Sequence, residues 1–189
     1  MSGRLTDGEK GLLLKLARDT IDRYLADGSR IDLPKAEGLL AEKCGAFVTL
    51  HKRGHLRGCI GSMVGTMPLV ETVREMAIAA STEDPRFHNV TPEEMEQIDI
   101  EISVLSPMQK VKDPSEIEVG QHGILMRQGM YQGVLLPQVA TEWGWGREEF
   151  LEHTCEKAGL PIDAWKDPKT SIEIFQAEVF GERERERAK

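Results

Sequence analysis

The sequence predicts an α+β fold, and three observations carry that expectation. Ile98, Ile100, Ile102 and Val104 alternate with Asp99, Glu101 and Ser103, the period of a half-buried strand. Leu13, Leu16, Ala17, Thr20, Ile21 and Tyr24 instead recur at helical spacing. Strand-like and helix-like runs then follow one another without the regular β-α-β order that builds a parallel sheet. At 189 residues the chain fits one unit, with room for two lobes, against a prior of roughly 150 residues per domain.

The elements follow in order. Thr6-Asp7-Gly8-Glu9 matches a capping box and opens an amphipathic helix that Gly28 stops. A short helical segment over 36–43 leads into the β-rich run 46–50, and Lys52-Arg53-Gly54 is the turn from which 55–62 pairs back as a hairpin. Pro68 starts a second helix over 68–80, with Leu69, Val73, Met76, Ala77 and Ala80 on one face. Residues 81–90, holding Asp84-Pro85-Arg86-Phe87, form a structured loop, and Thr91-Pro92 starts a short helix before the strand at 98. Runs 123–127 and 132–136 make a second hairpin around Gln128-Gly129-Met130-Tyr131. A third helix covers 147–158 with Gly159 as its stop, a last strand covers 172–180, and a charged tail without apolar content follows.

Composition narrows the function classes. Hydrophobic residues make up 40% and charged residues 30%, which suits a globular chain and not a disordered one. Lys and Arg number 24 against 32 Asp and Glu, and the net charge of −8 repels a nucleic-acid backbone unless a local basic patch overrides it. No apolar run approaches the roughly 18 residues of a spanning helix, and Asp7 and Glu9 lie where a signal peptide would be apolar. The expected compartment is the cytoplasm. Cys44, Cys59 and Cys155 are odd in number and offer neither a CxxC pair nor a zinc spacing, so neither disulfide framework nor metal is expected. HExxH, GxGxxG and GxxxxGK[ST] are absent, so the composition names no cofactor.

The hexapeptide Leu56-Arg57-Gly58-Cys59-Ile60-Gly61 resembles the signature of the AMMECR domain family. Cys44-Gly45-Ala46-Phe47-Val48-Thr49-Leu50, Asp84-Pro85-Arg86-Phe87, Glu101-Ile102-Ser103-Val104-Leu105-Ser106-Pro107, Leu135-Leu136-Pro137-Gln138-Val139-Ala140 and Lys157-Ala158-Gly159-Leu160-Pro161 resemble that family in the same order, over about residues 11–182. Two departures stand out: Gly146 where a polar or acidic residue is usual, and His88-Asn89 where proline usually follows the Phe87 position. The resemblance implies one AMMECR-like domain over 1–182 with a tail over 183–189. It implies a larger sheet-and-helix lobe built from both chain ends, a smaller antiparallel lobe, and a cleft between them. It also implies membership, in prokaryotes, of a three-part set with a Memo-like protein and a radical S-adenosylmethionine protein, as the system's protein A type, and hence a modification pathway by analogy.

The chemistry-bearing residues follow. Simple alternation puts His55, Arg57 and Cys59 on one strand face, so Cys59 is a candidate nucleophile or ligand contact with its thiolate favoured by a guanidinium. Burial and packing beside Gly58 and Gly61 is the competing reading. Arg57, Gly58 and Arg86 are candidates for gripping a carboxylate or phosphate. Their alternative is a fixed ion pair, Arg57 or Arg86 with Glu101 or Asp84. Glu101 is a candidate general base or a solvated face residue, Gln138 a candidate ligand amide or turn residue, and His122 a candidate proton carrier or surface residue. Cys44 and Cys155 read as packing, and Trp143 and Trp145 as loop anchors or pocket lining. Three functional expectations result: a small-molecule or modified-residue enzyme component around Arg57, Cys59 and Glu101; a non-catalytic adaptor or sensor for an acidic metabolite or partner protein; and an RNA-associated factor if Lys52, Arg53, Arg57 and Arg86 form a basic mouth.

Overall fold

The capping signal at the first helix is realised atom by atom. Thr6 Oγ1 accepts the Glu9 amide at 3.3 Å, and the Glu9 carboxylate accepts the Thr6 amide at 2.8 Å. Helix α1 then runs Asp7–Asp27 until Gly28, at φ 74°, turns the chain left-handed. Strands β1 (Ala46–Lys52) and β2 (His55–Ser62) form the expected hairpin. Its two turn residues, Arg53 at φ 53° and Gly54 at φ 85°, are both left-handed, which matches the twist of the flanking strands. Helix α2 (Leu69–Thr82) and strand β3 (Ile98–Leu105) follow. After them come β4 (Gln109–Lys110), β5 (Gly123–Gln128), β6 (Tyr131–Leu135), α3 (Pro137–Trp143), α4 (Arg147–Lys157), β7 (Ser171–Phe175) and β8 (Ala177–Gly181). The computed structural model describes residues 4–183, and the expected tail lies outside them from residue 184.

Two four-stranded sheets result, in the orders β2-β1-β3-β8 and β4-β7-β5-β6. The chain divides into two compact units, one formed by residues up to Leu105 and from Glu178 onward, the other by Ser106–Ala177. In the first, Val48, Leu50, Ile100 and Ile102 face α1 and α2 through Leu13, Ile21, Val73 and Ala77, all but fully buried. The second has its own core, where Ile124, Met126 and Ile174 pack with Phe150, Leu151 and Cys155 of α4. No helix among the described residues is long and apolar enough to cross a membrane.

Three elements differ from the sequence expectation, of which the two-residue strand β4 is one. The last strand is two strands in two sheets: Ile172 and Ile174 belong to the second core, Phe180 to the first, and Gln176 breaks the run by exchanging hydrogen bonds with Ser106. Helix α3 is additional, a seven-residue segment started by Pro137 and too short for helical periodicity to declare itself.

Glu182, the last residue before the expected tail, is one half of a clasp. Arg18 on α1 donates to both its oxygens, at 2.7 and 2.6 Å, and to the carbonyls of Met95 and Ile98. The same carboxylate accepts the Ile100 amide at 2.8 Å. Arg183 in turn pairs with Asp99. We expect Arg18→Ala to lower the unfolding free energy by about 2 to 3 kcal/mol, since it strands a partly buried carboxylate. Arg18→Lys should recover less than half, because an ammonium cannot reproduce the fork. Urea denaturation of the three proteins checks both values.

Candidate functional site

Strand β2 is an edge strand, and its hairpin with β1 contains a fault. Thr49 pairs with Cys59 and Leu50 with Gly58, but His51 pairs with Leu56, so Arg57 is the extra residue of a β-bulge. The bulge overturns the shared face expected for Arg57 and Cys59: register groups Cys59 with Leu56 instead. Arg57 faces the loop after α2. It donates to both oxygens of Glu94, at 3.2 and 2.9 Å, and to the carbonyls of His88 and Asn89. Glu94 also receives Lys52 Nζ at 2.7 Å and the Thr91 amide at 3.0 Å, so one carboxylate joins a short helical turn to the bulge.

The free edge of β2 is covered by side chains. The Cys59 amide donates to Asp84 Oδ2 at 2.8 Å, Arg86 holds both Asp84 oxygens at 2.9 and 2.7 Å, and Arg86 Nη2 approaches the Cys59 carbonyl at 3.4 Å. An ion pair thus meets the donor and the acceptor that a neighbouring strand would have met. Of the four pairings expected between Arg57 or Arg86 and Glu101 or Asp84, the structure forms Arg86 with Asp84. Phe87 lies under both guanidinium groups, 5.9 Å from Arg57 and 5.5 Å from Arg86, and these residues with Pro85 and His88 line a cavity of about 410 Å³.

Cys59, Thr49 and Glu101 stand in one row across β2, β1 and β3. Thr49 Oγ1 donates to the Cys59 sulfur at 3.2 Å. Cys59 is half-buried, whereas Cys44 and Cys155 are buried and their thiols are pushed up by that burial. Glu101 makes no ion pair with any described residue. Gly58 explains itself by packing, because a Cβ there would stand 2.2 Å from the Ala80 carbonyl oxygen at the end of α2.

The remaining candidates lie in the second unit. Gln138 occupies the first turn of α3, where its carbonyl accepts the Thr141 hydroxyl. His122 Nδ1 accepts the Glu118 amide at 3.1 Å, closing a turn. Trp143 is 70% exposed and stacks on Trp145, which stacks in turn on His153 at 3.9 Å. Among the described residues, no group of His, Cys, Asp and Glu is placed to hold a metal ion. Sequence reasoning passed over Glu94 and Thr49. Thr91-Pro92-Glu93-Glu94 carries a capping pattern that could have drawn attention to the first, but nothing local marks the second, which gains its place only through cross-strand register.

The sequence profile of the AMMECR1 family matches residues 14–180. The chain belongs to the AMMECR1 family. A protein of Methanopyrus kandleri is 49% identical over 98% of this chain and 94% of its own length, and one of Methanothermobacter thermautotrophicus is 45% identical over 94% and 96%. The crystal structure of the uncharacterized protein PH0010 from Pyrococcus horikoshii, 45% identical, superposes with a TM-score of 0.82 over 90% of this chain and 89% of that one. The α+β architecture is therefore that of an AMMECR1-family protein.

Electrostatics follow from these contacts. Arg86, with help from the Cys59 amide, holds the Asp84 carboxyl well below the usual carboxylate range. Arg57 first, then Lys52 and the Thr91 amide, lower Glu94 to about 2 against the cost of burial. Both folded values lie below the unfolded ones, about 3.9 and 4.3. Their stabilisation is therefore complete above that range and is lost as pH falls toward the folded values. We expect the urea midpoint of the protein to fall between about pH 4.3 and 2, and Glu94→Gln to show a shallower fall over the same window. A second expectation concerns packing: Gly58→Ala should cost about 1 to 3 kcal/mol, measured by the same unfolding experiment, because the helix end must shift.

Proposed function

We propose that this AMMECR1-family chain is a component of a modification pathway and that it handles a small anionic molecule or modified residue at the Cys59 row. The observation that supports this most is the state of Cys59: the one cysteine of three that is not buried, with a hydroxyl donated to its sulfur. The thiolate is the reactive form of a cysteine, and an unburied sulfur is the one a reagent can reach. Arg86 supplies the charge for an anionic ligand. Its Nε and Nη2 are committed to Asp84 and the Cys59 carbonyl, while its side chain stays 54% exposed and Nη1 bonds to no described residue. Arg57, with four of its hydrogen bonds made inside the protein, shapes the cavity wall. In the family's three-part set, the Memo-like and radical S-adenosylmethionine proteins would supply or consume what this chain binds.

Alkylation mapping tests the thiol. At neutral pH, iodoacetamide should label Cys59 at least about tenfold faster than Cys44 or Cys155, because the latter two are buried and burial pushes their thiols up. Slower labelling of Cys59 would remove its reactive role. Calorimetry with small carboxylates, phosphates and short RNA tests the ligand class. Arg86→Ala should weaken small-anion binding about tenfold, the worth of one charge-assisted hydrogen bond. RNA binding that is tight in about 0.2 M salt and indifferent to Arg86 would instead favour an RNA-associated role.

A further inference from the structure

The sheet face opposite the first core carries more titratable chemistry than the Cys59 row alone. On β1, His51 lies two residues beyond Thr49 and therefore shares its face. Its direct neighbours are Asp99 on β3 and Leu56 on β2, and its diagonal neighbours are Glu101 and Cys59. Regular diagonal positions lie roughly 7 to 8 Å apart, within reach of an aromatic-sized side chain, and on the β2 side the diagonal from His51 to Cys59 crosses the extra residue Arg57. Glu101 is two strands from Cys59, about 10 Å, with Thr49 between them, too far to take the thiol proton itself.

His51 and Glu101 line one cavity of about 240 Å³ with Asp99, Glu182 and Arg183. The other three charges there are occupied: Asp99 by Arg183, and Glu182 by Arg18 and the Ile100 amide. Neither the His51 ring nor the Glu101 carboxylate makes a side-chain hydrogen bond or ion pair with any described residue. An imidazole and a carboxylate are thus left open on neighbouring strands, the imidazole diagonal to a half-buried thiol. The bulge at Arg57 bends β2 beside that thiol, a device that commonly re-aims a side chain at a site.

We propose that His51 is the proton acceptor of Cys59, oriented by Glu101 from the neighbouring strand. This rests on the reading of Cys59 as a reacting thiol. The proton leaves Sγ for the open imidazole nitrogen, and the sulfur pair freed by that transfer forms a bond to an electrophilic carbon, whose leaving group departs with its own pair. No oxidant is involved. Thr49 is a positioning residue that keeps the sulfur on the face where His51 can reach it.

The test is the rate of Cys59 alkylation by iodoacetamide, read by peptide mass spectrometry at pH 7 and pH 9.5 in wild type, His51→Gln and Glu101→Gln, with N-acetylcysteine as the unassisted thiol. Wild type should keep a higher pH 7 to pH 9.5 rate ratio than N-acetylcysteine. His51→Gln should lose about tenfold or more at pH 7, a modest share of what a positioned base contributes, while matching wild type at pH 9.5. Glu101→Gln should fall between them. A His51→Gln profile that overlays wild type overturns the proposal, and so does a wild-type ratio equal to that of N-acetylcysteine, which requires no variant to fold. Absence of Cys59 labelling in native wild type at both pH values is a different result: it removes the reactive-thiol reading on which this proposal stands.

Discussion

The carboxylate of Asp84 stands where a fifth strand would otherwise have to be. An edge strand presents unpaired amides and carbonyls, and a sheet ending in β2 would expose those of Cys59. Asp84 takes the amide and fixes Arg86, and Arg86 reaches the carbonyl. Because Asp84 is only 5% exposed, its charge needs the guanidinium, and the loop must run close along β2 to supply both. The course of that loop then places Phe87 between the two arginines and brings the carbonyls of His88 and Asn89 to Arg57. Access to Cys59 from the edge is set by this pair, while its sulfur is left to the sheet face.

The same contacts decide what the local charge can attract. Lys52, Arg57 and Arg86 look in sequence like part of a basic mouth, yet Glu94 lies between the first two and Asp84 holds the third. All three cations thus touch a carboxylate, and two negative charges offset three positive ones on a protein of net charge −8. A polyanion needs several uncompensated cations along its length to release counterions, whereas a single phosphate or carboxylate needs one open guanidinium edge. The arrangement favours the small ligand.

Much of the fold was legible in the sequence because it is local chemistry. The Thr6 box, the alternation of β3, the turn at Arg53-Gly54 and the stop at Gly159 are each decided by a few consecutive residues, and the family resemblance covered the same span. The site was less legible because its geometry is non-local. Arg57 and Cys59 are two residues apart and read as one face, but a bulge that only pairing with β1 reveals separates them. Thr49 and Glu94 gain their places through residues distant in sequence, Cys59 and Glu101 for Thr49 and Arg57 for Glu94. The last strand was misjudged for a related reason: an apolar run does not say which of two cores each residue joins.

The signature hexapeptide can now be divided by what packing demands of each residue. Arg57 ties a loop, Gly58 admits the end of α2, and Ile60 packs on the first core. At Gly61 a Cβ would stand 2.2 Å from the Phe47 ring, so the absence of a side chain is a steric requirement there too. Cys59 is different. It sits between two positions that exclude side chains, on an edge whose backbone groups are already satisfied, and its sulfur receives a hydrogen bond that any small acceptor could receive. Nothing in the packing of this strand calls for sulfur in preference to the oxygen of serine. What sulfur adds over oxygen is nucleophilicity and an accessible anionic state.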